Sequence, residues 1–383
     1  MPPLSVLVAP DAFKGSLSAP AAAAAMARGV LSADPGAAVR ELPMADGGEG
    51  TLDCLCAAAG RRHWMTVQDP LGRPVRASWG EYRRGGLRSA VVELAAASGL
   101  QLLDRAERDP LRASSFGTGQ LLAAALASAP DRLIVALGGS ATVDGGAGIL
   151  GALGFRLLDA AGEPLPPGGE ALLRLERIDP PEEGRAVPEI WLACDVVSPL
   201  LGPQGALLYA AQKGAGGRER RQLGGALRRF AEVALASFGR GDPQAPYGGA
   251  AGGAAFGLAA ALGARAVSGA DLVAEALGLA EAVSASDLVL TGEGQLDIQT
   301  AQGKVVSRVA GLGARAGKPV VAIAGSLSGG GAVWRASGVT AAISLARGPL
   351  SLAAARRSAV PLLELAAEQV VRIFSAGRCS TSA

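Results

Sequence analysis

The loop before the first predicted helix carries residue types that can bind an anion. Lys14, Gly15 and Ser16 stand just ahead of Ser18, which can cap that helix. The free N–H groups and the dipole at a helix N-terminus attract negative charge, and the lysine adds a cation. An ordinary capped loop with an exposed lysine is the alternative interpretation of the same residues.

A second loop, Met44–Thr51, brings two acids together with three glycines. Asp46 precedes Gly47, and Glu49 stands just before the next predicted helix. Glycine permits the backbone to approach a ligand closely, and carboxylates are ligands that suit Mg²⁺. Either Asp46 or Glu49 could therefore hold a metal ion. A glycine turn with an acid in the first helical turn is the alternative.

A third loop, Gly138–Gly148, follows the predicted strand Leu133–Leu137 and leads into a helix. Its glycines, with the hydroxyls of Ser140 and Thr142, can surround a phosphate with hydrogen-bond donors. It is not a Walker loop, because GxxxxGK[ST] occurs nowhere in the chain. Its length and position favour a phosphate-binding loop over a simple turn.

Four further ionisable residues lie in predicted loops. Asp195 follows the predicted strand Ile190–Ala193, where it could serve as a general base, a metal ligand or a helix cap. Lys213 offers a second cation near a loop. Glu293 and Asp297 follow a buried strand, where carboxylates rarely serve packing because burying one without a partner is costly.

The bulk composition of the 383 residues excludes several classes of function. Lys and Arg number 36 against 34 Asp and Glu, which leaves no electrostatic footprint for nucleic acid or an anionic membrane. No charged signal region opens the chain, and the four cysteines form no disulfide framework, so a cytoplasmic protein is expected. The one histidine, His63, is poorly placed for catalysis, and a carboxylate or lysine base is expected instead.

The order of predicted elements indicates an α/β fold with two domains. Both ends of the chain alternate buried strands with helices, as one doubly wound parallel sheet requires. The middle differs, because residues 67–79 have the pattern of a hairpin. We therefore predict a discontinuous domain of residues 1–65 plus 285–383 and an inserted mixed α/β domain of residues 66–284. The tail from Ser375 is expected to be frayed.

Taken in order, these loops resemble the bacterial class I glycerate kinase family, with matching spacing from about Leu4 to Phe374. The matching stretches are Ala9–Ser18 (APDAFKGSLS), Pro43–Thr51 (PMADGGEGT), Gly138–Gly148 (GGSATVDGGAG), Ala193–Asp195 (ACD), Gln212–Gly214 (QKG), Gly249–Gly257 (GAAGGAAFG) and Thr291–Gly294 (TGEG). The resemblance implies a flavodoxin-like lobe, a second domain and an active site in the cleft. It also implies Mg²⁺-dependent transfer of a phosphoryl group from ATP to D-glycerate, giving 2-phosphoglycerate and ADP.

Within that resemblance the loops receive roles in phosphoryl transfer, which needs positioning, charge neutralisation and removal of a hydroxyl proton. Asp195 is expected to face the glycerate hydroxyl, with Asp297 as a rival base. Lys14 would pair with the substrate carboxylate or the transferred group. The expected substrate-binding residues are Ser16, Asp46, Gly47 and Lys213, the expected nucleotide-binding residues are Gly138, Gly139, Ser140 and Thr142, and the expected Mg²⁺ ligands are Asp46 and Glu293. Glycerate and ATP are the expected partners, without nucleic acid or membrane, and a homo-oligomer stays open.

Some positions depart from the family pattern. Val143 replaces an Asn, Val197-Ser198 replace Thr-Asn, Ala211 replaces a Pro and Ile298 replaces a Ser. Val143 removes an amide that could touch nucleotide or substrate, so affinity or acceptor preference could differ.

Two other classes of function compete with a kinase. A dehydrogenase of small hydroxy acids would need a dinucleotide fingerprint in the first strand–helix turn and usually a histidine acid, and neither requirement is met. A non-catalytic sensor of organic acids could share the cleft, but it would not need several loop carboxylates.

Overall fold

The computed structural model describes residues 2–57, 60–182, 187–296, 304–328 and 331–380. The strands are β1 (Ser5–Val8), β2 (Ala38–Glu41), β3 (Arg61–Gln68), β4 (Pro74–Arg84), β5 (Leu87–Glu93), β6 (Arg132–Ala136), β7 (Arg156–Leu158), β8 (Arg177–Asp179), β9 (Glu189–Cys194), β10 (Arg265–Ser268), β11 (Leu288–Leu296), β12 (Val320–Leu327) and β13 (Ala341–Ser344). The helices are α1 (Ala19–Ala33), α2 (Thr51–Cys56), α3 (Ala95–Ser98), α4 (Phe116–Ala127), α5 (Ala147–Ala152), α6 (Gly217–Phe238), α7 (Ala254–Leu262), α8 (Gly269–Leu277), α9 (Leu279–Ser284), α10 (Val305–Arg315), α11 (Gly331–Ala336), α12 (Leu352–Arg357) and α13 (Ala359–Ser380).

Contacts divide the chain into two compact units. Unit 1 comprises Met1–Asp46 and Ala270–Ala383, and unit 2 comprises Gly47–Gly269. These limits differ from the sequence-derived division at residues 65 and 285, which stays a prediction. One physical reason for the difference is α2, whose residues pack on β4 and β5 of unit 2.

Unit 1 contains a five-stranded sheet in the order β13-β12-β11-β1-β2, and every neighbouring pair is parallel. Numbered along unit 1, this is the order 2-1-3-4-5 that flavodoxin-like sheets have. The strands of such a sheet end at the same edge, so the loops that follow β1, β2 and β11 are brought side by side.

Helices cover both faces of this sheet because successive strand residues point to opposite sides. Val321 faces the cluster that α1 and α13 complete, whereas Val320 faces α10, since a Cβ at Gly313 would lie 2.2 Å from its side chain. The predicted start of α1 is confirmed: the Ser18 hydroxyl accepts a hydrogen bond from the N–H of Ala21. At Gly29, α1 approaches α13 so closely that a Cβ would lie 2.1 Å from the carbonyl oxygen of Glu364.

Unit 2 contains a six-stranded sheet in the order β10-β9-β6-β5-β4-β3. β10, β9, β6 and β5 run parallel, while β5, β4 and β3 form antiparallel pairs. The antiparallel part is the hairpin that the sequence predicted, although its strands are longer than the 67–79 pattern. His63 lies on this hairpin, where its ring stacks on Trp79 with centroids 4.2 Å apart.

The run 247–264 lies mostly buried inside unit 2. It contains a tight turn, Ala250–Gly253, in which Ala251 and Gly252 have positive φ, and it continues as α7. A Cβ at Gly252 would lie 2.1 Å from the Thr142 carbonyl oxygen, and one at Gly257 would lie 2.1 Å from the Gly145 carbonyl oxygen. Its glycines therefore let this segment press directly on the backbone of the Gly138–Gly148 loop. None of the helices in the described ranges is long and apolar enough to cross a bilayer.

The prediction for the C-terminus was wrong over part of its length. The sequence placed a frayed tail from Ser375, but α13 continues to Ser380.

Candidate active site

In unit 1, backbone hydrogen bonds hold three polar loops next to one another. The N–H of Asp11 donates to the Gly292 carbonyl oxygen at 2.8 Å, and the N–H of Met44 donates to the Pro10 carbonyl oxygen at 2.9 Å. The carboxylates of Asp11, Asp46 and Glu293 consequently line the same cavity, together with Lys14. Two predicted Mg²⁺ ligands, Asp46 and Glu293, are thus brought to one place.

The environment of Asp11 is the most perturbed in this cavity. Its side chain is buried, and its Oδ1 accepts a hydrogen bond from the Ala12 N–H at 2.7 Å. Burial, followed by the charge of Asp46, raises the pKa of Asp11 to about 7. A carboxyl whose charge is disfavoured by its neighbours is a group whose charge a bound cation would favour. The sequence analysis did not single out Asp11.

Lys14 and Ser16 lie at the mouth of this cavity. The ammonium of Lys14 lies 3.8 Å from Asp46 Oδ2, and 78% of its side chain is exposed. The loop turns at Gly15, whose φ of +74° favours glycine, and a Cβ there would lie 3.1 Å from the Arg356 guanidinium. Lys304 and Arg356 line the cavity too. The predicted substrate loop therefore stands among three cations, of which the sequence analysis assigned a role only to Lys14.

The carboxylates of this cavity suit a metal ion that takes only part of its coordination from the protein and the rest from a bound ligand and water. No three metal-ligating side chains of the described ranges come together as a complete cage. Mg²⁺ commonly takes one or two carboxylates, completing its shell with water and phosphate oxygens. Asp46 and Glu293 fit that requirement. Glu293 itself lies within β11, paired with Ala324, and not in a loop after the strand as the sequence suggested.

In unit 2, three segments meet at the carboxyl ends of β6 and β9. The N–H of Gly138 donates to the Gly47 carbonyl oxygen at 3.1 Å, and a Cβ at Gly138 would lie 2.6 Å from Gly48 Cα. A Cβ at Gly47, whose φ is +94°, would lie 2.9 Å from the Ala193 backbone. The predicted residues Gly47 and Gly138 are therefore neighbours, and a Cβ at Gly138 would stand 3.4 Å from the exposed carboxylate of Asp195.

The glycine-rich loop offers backbone donors at its tip. Gly139 is exposed and has a φ of +76°. Its carbonyl oxygen accepts from the Leu100 N–H, and Ala141 donates to Ser98. Within the described ranges, the N–H groups of Gly139 and Ser140 donate to no protein acceptor. Two successive free N–H groups at a left-handed glycine form a concavity that suits a phosphate oxygen.

The two predicted hydroxyl donors of this loop face inward. Ser140 Oγ lies 3.1 Å from Thr142 Oγ1 and accepts from the Thr142 N–H at 3.1 Å. Both side chains are buried, with no exposed area at Thr142. Their hydroxyls therefore shape the loop. The donors of the loop that have no protein acceptor are the N–H groups of Gly139 and Ser140, and of these two residues Gly139 is the exposed one.

Lys213 holds the same loop in place from its buried side. Its ammonium donates to the Thr142 carbonyl oxygen at 2.8 Å and to Ser140 Oγ at 3.3 Å, and only 4% of the residue is exposed. Burial lowers the pKa of Lys213 to about 8, an effect that the nearby charges of Asp144 and Asp195 oppose. Lys213 thus positions the backbone of the loop while bringing a positive charge close to it.

Asp144 organises the far end of the loop. Its Oδ2 accepts from the N–H and hydroxyl of Ser115, each at 2.8 Å, and from the Gly148 N–H at 3.2 Å. Its Oδ1 accepts from the Gly146 N–H at 3.1 Å. Gly146, Gly148 and Gly151 have the spacing G-x-G-x-x-G. Because Asp144 already engages the first two amides, this spacing serves internal packing and not dinucleotide binding.

Glu93, at the end of β5, holds the Gly47–Thr51 segment. Its carboxylate accepts from the Leu52 N–H at 2.7 Å and also binds the Gly50 N–H. It therefore caps α2, whose own N-cap residue, Gly50, has no side chain. Only 9% of Glu93 is exposed, and burial raises its pKa to about 7. No sequence pattern marked Glu93, because the residue ends a strand and lies 41 residues along the chain from Leu52, to which it binds.

Two remaining sequence expectations have different outcomes. Val143 is fully buried in the cluster with Leu150, Leu200 and Leu223. Its side chain points into the core of unit 2, so an amide at this position would lie in the same apolar cluster and away from a ligand. Asp297, the rival base, lies outside the described residues, as does Ile298.

Comparison with known proteins agrees with these loops. Residues 6–375 match the glycerate kinase family. The chain is 42% identical over 375 residues to a glycerate kinase of Halalkalibacterium halodurans, covering 97% of this chain and 98% of the relative. It is 41% identical over 350 residues to the glycerate 2-kinase of Escherichia coli K12, covering 89% and 90% of the two chains.

A solved structure gives the same result. A crystal structure from Salmonella typhimurium LT2, described as glycerate kinase 2, superposes with a TM-score of 0.86 at 39% identity, covering 98% of this chain and 99% of the other. The parallel α/β sheets and the anion-handling loops thus define a phosphotransferase-like enzyme. The chain belongs to the glycerate kinase family.

Glu93 leads to a prediction about stability. The folded chain keeps a proton on Glu93 up to a pH of about 7, whereas the ordinary pKa is 4.5. Between these values the folded state binds more protons, so the contribution of Glu93 to the free energy of unfolding falls as pH rises and is level above about pH 7. Glu93→Gln lacks this contribution. Its free energy of unfolding, measured with urea, should therefore rise relative to the wild type between pH 5 and 7.5.

Glu41→Gln is the matched control, because Glu41 is exposed on β2. Its difference from the wild type should stay nearly constant over the same pH range. A constant difference for Glu93→Gln as well would show that Glu93 does not titrate there.

Lys213 leads to a prediction about activity. Lys213→Met keeps the apolar stem but leaves the Thr142 carbonyl oxygen without its 2.8 Å donor. The Ser140 hydroxyl remains as a donor to this oxygen at 3.3 Å, but the bond to the charged group, which contributes about 1.5–3 kcal/mol, is lost. Because the loop must then be ordered again when the nucleotide binds, kcat/KM for ATP should fall about 10- to 150-fold. Lys318→Met, outside these loops, should stay within about twofold of the wild type. Equal values for the two variants in a coupled ADP-release assay would contradict a positioning role for Lys213.

Proposed function

We propose that this enzyme transfers the γ-phosphoryl group of ATP to the 2-hydroxyl of D-glycerate. The observation that carries the proposal is the near-full-length match to proteins named as glycerate kinases and a glycerate 2-kinase. The chemistry of both units supports it, because phosphoryl transfer requires cations, metal-binding carboxylates and backbone donors.

We assign the cationic and acidic loops of unit 1 to charge neutralisation. Lys14, beside Asp46, would pair with the substrate carboxylate or the transferred phosphoryl group, with Ser16 as a hydrogen-bond donor. Asp46 and Glu293 would hold Mg²⁺, which when bound neutralises the charge that develops on the phosphate oxygens. Asp11 lies near these acids, and both burial and the charge of Asp46 disfavour its charged form. A bound cation would favour that charged form.

We assign the loops of unit 2 to positioning and proton removal. Gly139 and Ser140 would donate their backbone N–H groups to nucleotide phosphate oxygens, on a loop that Lys213 and Thr142 hold in place. Asp195 would accept the proton of the glycerate hydroxyl, and its exposure at the end of β9 supports this assignment. Asp297 remains the rival for that role.

We also infer that unit 1 is a flavodoxin-like domain and that unit 2 is inserted in it. The strand order of unit 1 and the interruption of its sequence by residues 47–269 support this division. The kinase assignment then requires groups from both units to act in one reaction.

The two alternatives have less support. No relative named above is a sensor, and a sensor would not need the cluster of Asp11, Asp46 and Glu293. A dehydrogenase would need the amides of Gly146 and Gly148 for a dinucleotide, and Asp144 already binds them.

The function is tested by ADP release with Mg-ATP and D-glycerate, with the product resolved by ³¹P–¹H coupling. Phosphate coupled to a single carbinol proton is expected and would establish the 2-phospho product. Coupling to a CH₂ group would retain the kinase but overturn the regiochemistry. Folded protein without ADP release above background would overturn the kinase assignment for glycerate.

The base is tested by comparing Asp195→Asn with Asp297→Asn. Loss of a general base typically lowers the rate about 10²- to 10⁴-fold, so kcat should fall by that factor in Asp195→Asn and much less in Asp297→Asn. Asp242→Asn, an exposed loop substitution, serves as the control and should leave kcat unchanged. The opposite ranking would make Asp297 the base, and near-normal turnover in both variants would refute a carboxylate base.

A further inference from the structure

The cavity of unit 1 is larger than its charged groups alone would require. Its volume is about 590 Å³, within the range of about 300–1,000 Å³ typical of pockets for drug-sized ligands. Part of its lining carries the acids and cations described above. The rest comes from the segment after β13 and from α12 and α13 and is apolar except for Arg356 of α12.

The apolar wall contains four leucines, Leu345, Leu350, Leu352 and Leu362, which we call the leucine wall. Leu350 is 47% exposed and Leu352 is 67% exposed. Large apolar side chains that gather at the rim of a cavity, instead of standing singly on the surface, indicate a surface that a ligand covers. The small residue Ala355 lines the cavity as well.

Glycerate does not account for the leucine wall. Each of its three carbons carries an oxygen, so it offers no apolar face, and its hydroxyls would lose hydrogen bonds against leucine. A purine base has two apolar faces and a polar edge, and a nucleoside fills far more of the cavity. The cations of the same cavity, Lys14, Lys304 and Arg356, suit the phosphates that a nucleotide carries.

We propose that the leucine wall binds the base and ribose of the nucleotide, with the base packed against Leu350 and Leu352. This inference rests on the proposed function, because it takes the phosphoryl donor to be a nucleoside triphosphate. It concerns the nucleoside end of the donor.

The test compares Leu350→Gln and Leu352→Gln with Ile373→Gln. Ile373 is 72% exposed on α13 and does not line the cavity, so it controls for exchanging an exposed apolar side chain for a polar one. The dissociation constants of ADP and of inorganic tripolyphosphate are measured by calorimetry. Removing the packing of one leucine should weaken ADP about 10-fold or more, while tripolyphosphate, which has no base, should bind as it does to the wild type.

The Michaelis constant for glycerate, measured at saturating ATP, should stay within about twofold in both leucine variants, since a leucine side chain offers no hydrogen bond to the oxygens of glycerate. Unchanged ADP affinity in both variants, an equal loss for ADP and tripolyphosphate, or no ADP binding to the wild type would overturn the inference.

The inference and the proposed function can fail separately. Weakened ADP binding in the leucine variants of an enzyme that does not phosphorylate glycerate would retain the nucleoside pocket and refute the acceptor. Normal turnover of glycerate with unaltered ADP binding in the variants would do the reverse.

Discussion

The candidate site of unit 2 depends on a backbone contact that leaves no room for a side chain. Gly138 donates to the Gly47 carbonyl oxygen, and added Cβ atoms at these residues would lie 2.6 and 2.9 Å from the facing backbone. Real Cβ atoms do not approach other heavy atoms so closely. The contact fixes where β6 ends and the Gly138–Gly148 loop begins, and it brings that loop to Asp195. The glycines are therefore required by the spacing between chain segments, and any ligand contact they make is a consequence of that spacing.

Buried charges hold this arrangement in place. Asp144, Lys213 and Glu93 are each less than a tenth exposed, and each binds backbone groups of a loop. Burial disfavours the charged form, so the pKa values of Glu93 and Lys213 move towards neutrality from opposite sides. Shifted pKa values often mark catalytic groups. Here they follow from burial of side chains that position a loop through hydrogen bonds to its backbone.

The sequence predicted the loops well because glycine and charge at strand ends are local signals. The alternation of strands and helices at both ends, and the cap at Ser18, follow from patterns a few residues long. The role of Glu93 was not predicted, because its hydrogen-bond partner, Leu52, lies 41 residues away and no local pattern at either residue indicates the pairing. The sequence predicted Ser140 and Thr142 as phosphate ligands because hydroxyls commonly donate to phosphate, but the fold turns both side chains inward. The hydrogen bonds of the isolated bridge between Gly99 and Ser140 leave the N–H groups of Gly139 and Ser140 without a protein acceptor, which no sequence pattern indicates.

One compositional signal could have located more of the cations. Only four of the 36 basic residues are lysines, so arginine occupies nearly every position that carries a basic side chain. Lys14 and Lys304 line the unit 1 cavity and Lys213 fixes the Gly138–Gly148 loop, while the fourth lysine, Lys318, lies outside these loops. An ammonium is a compact charge that can enter a tight space and approach one oxygen, whereas a guanidinium is a planar fork that needs room. In a chain that otherwise prefers arginine, a lysine that lines a cavity or binds a loop therefore indicates a position where size and point charge matter. Arg356 is an exception, because it is exposed at the rim of the cavity. There its planar guanidinium can lie over Gly15 and still bind an anion that arrives from solvent.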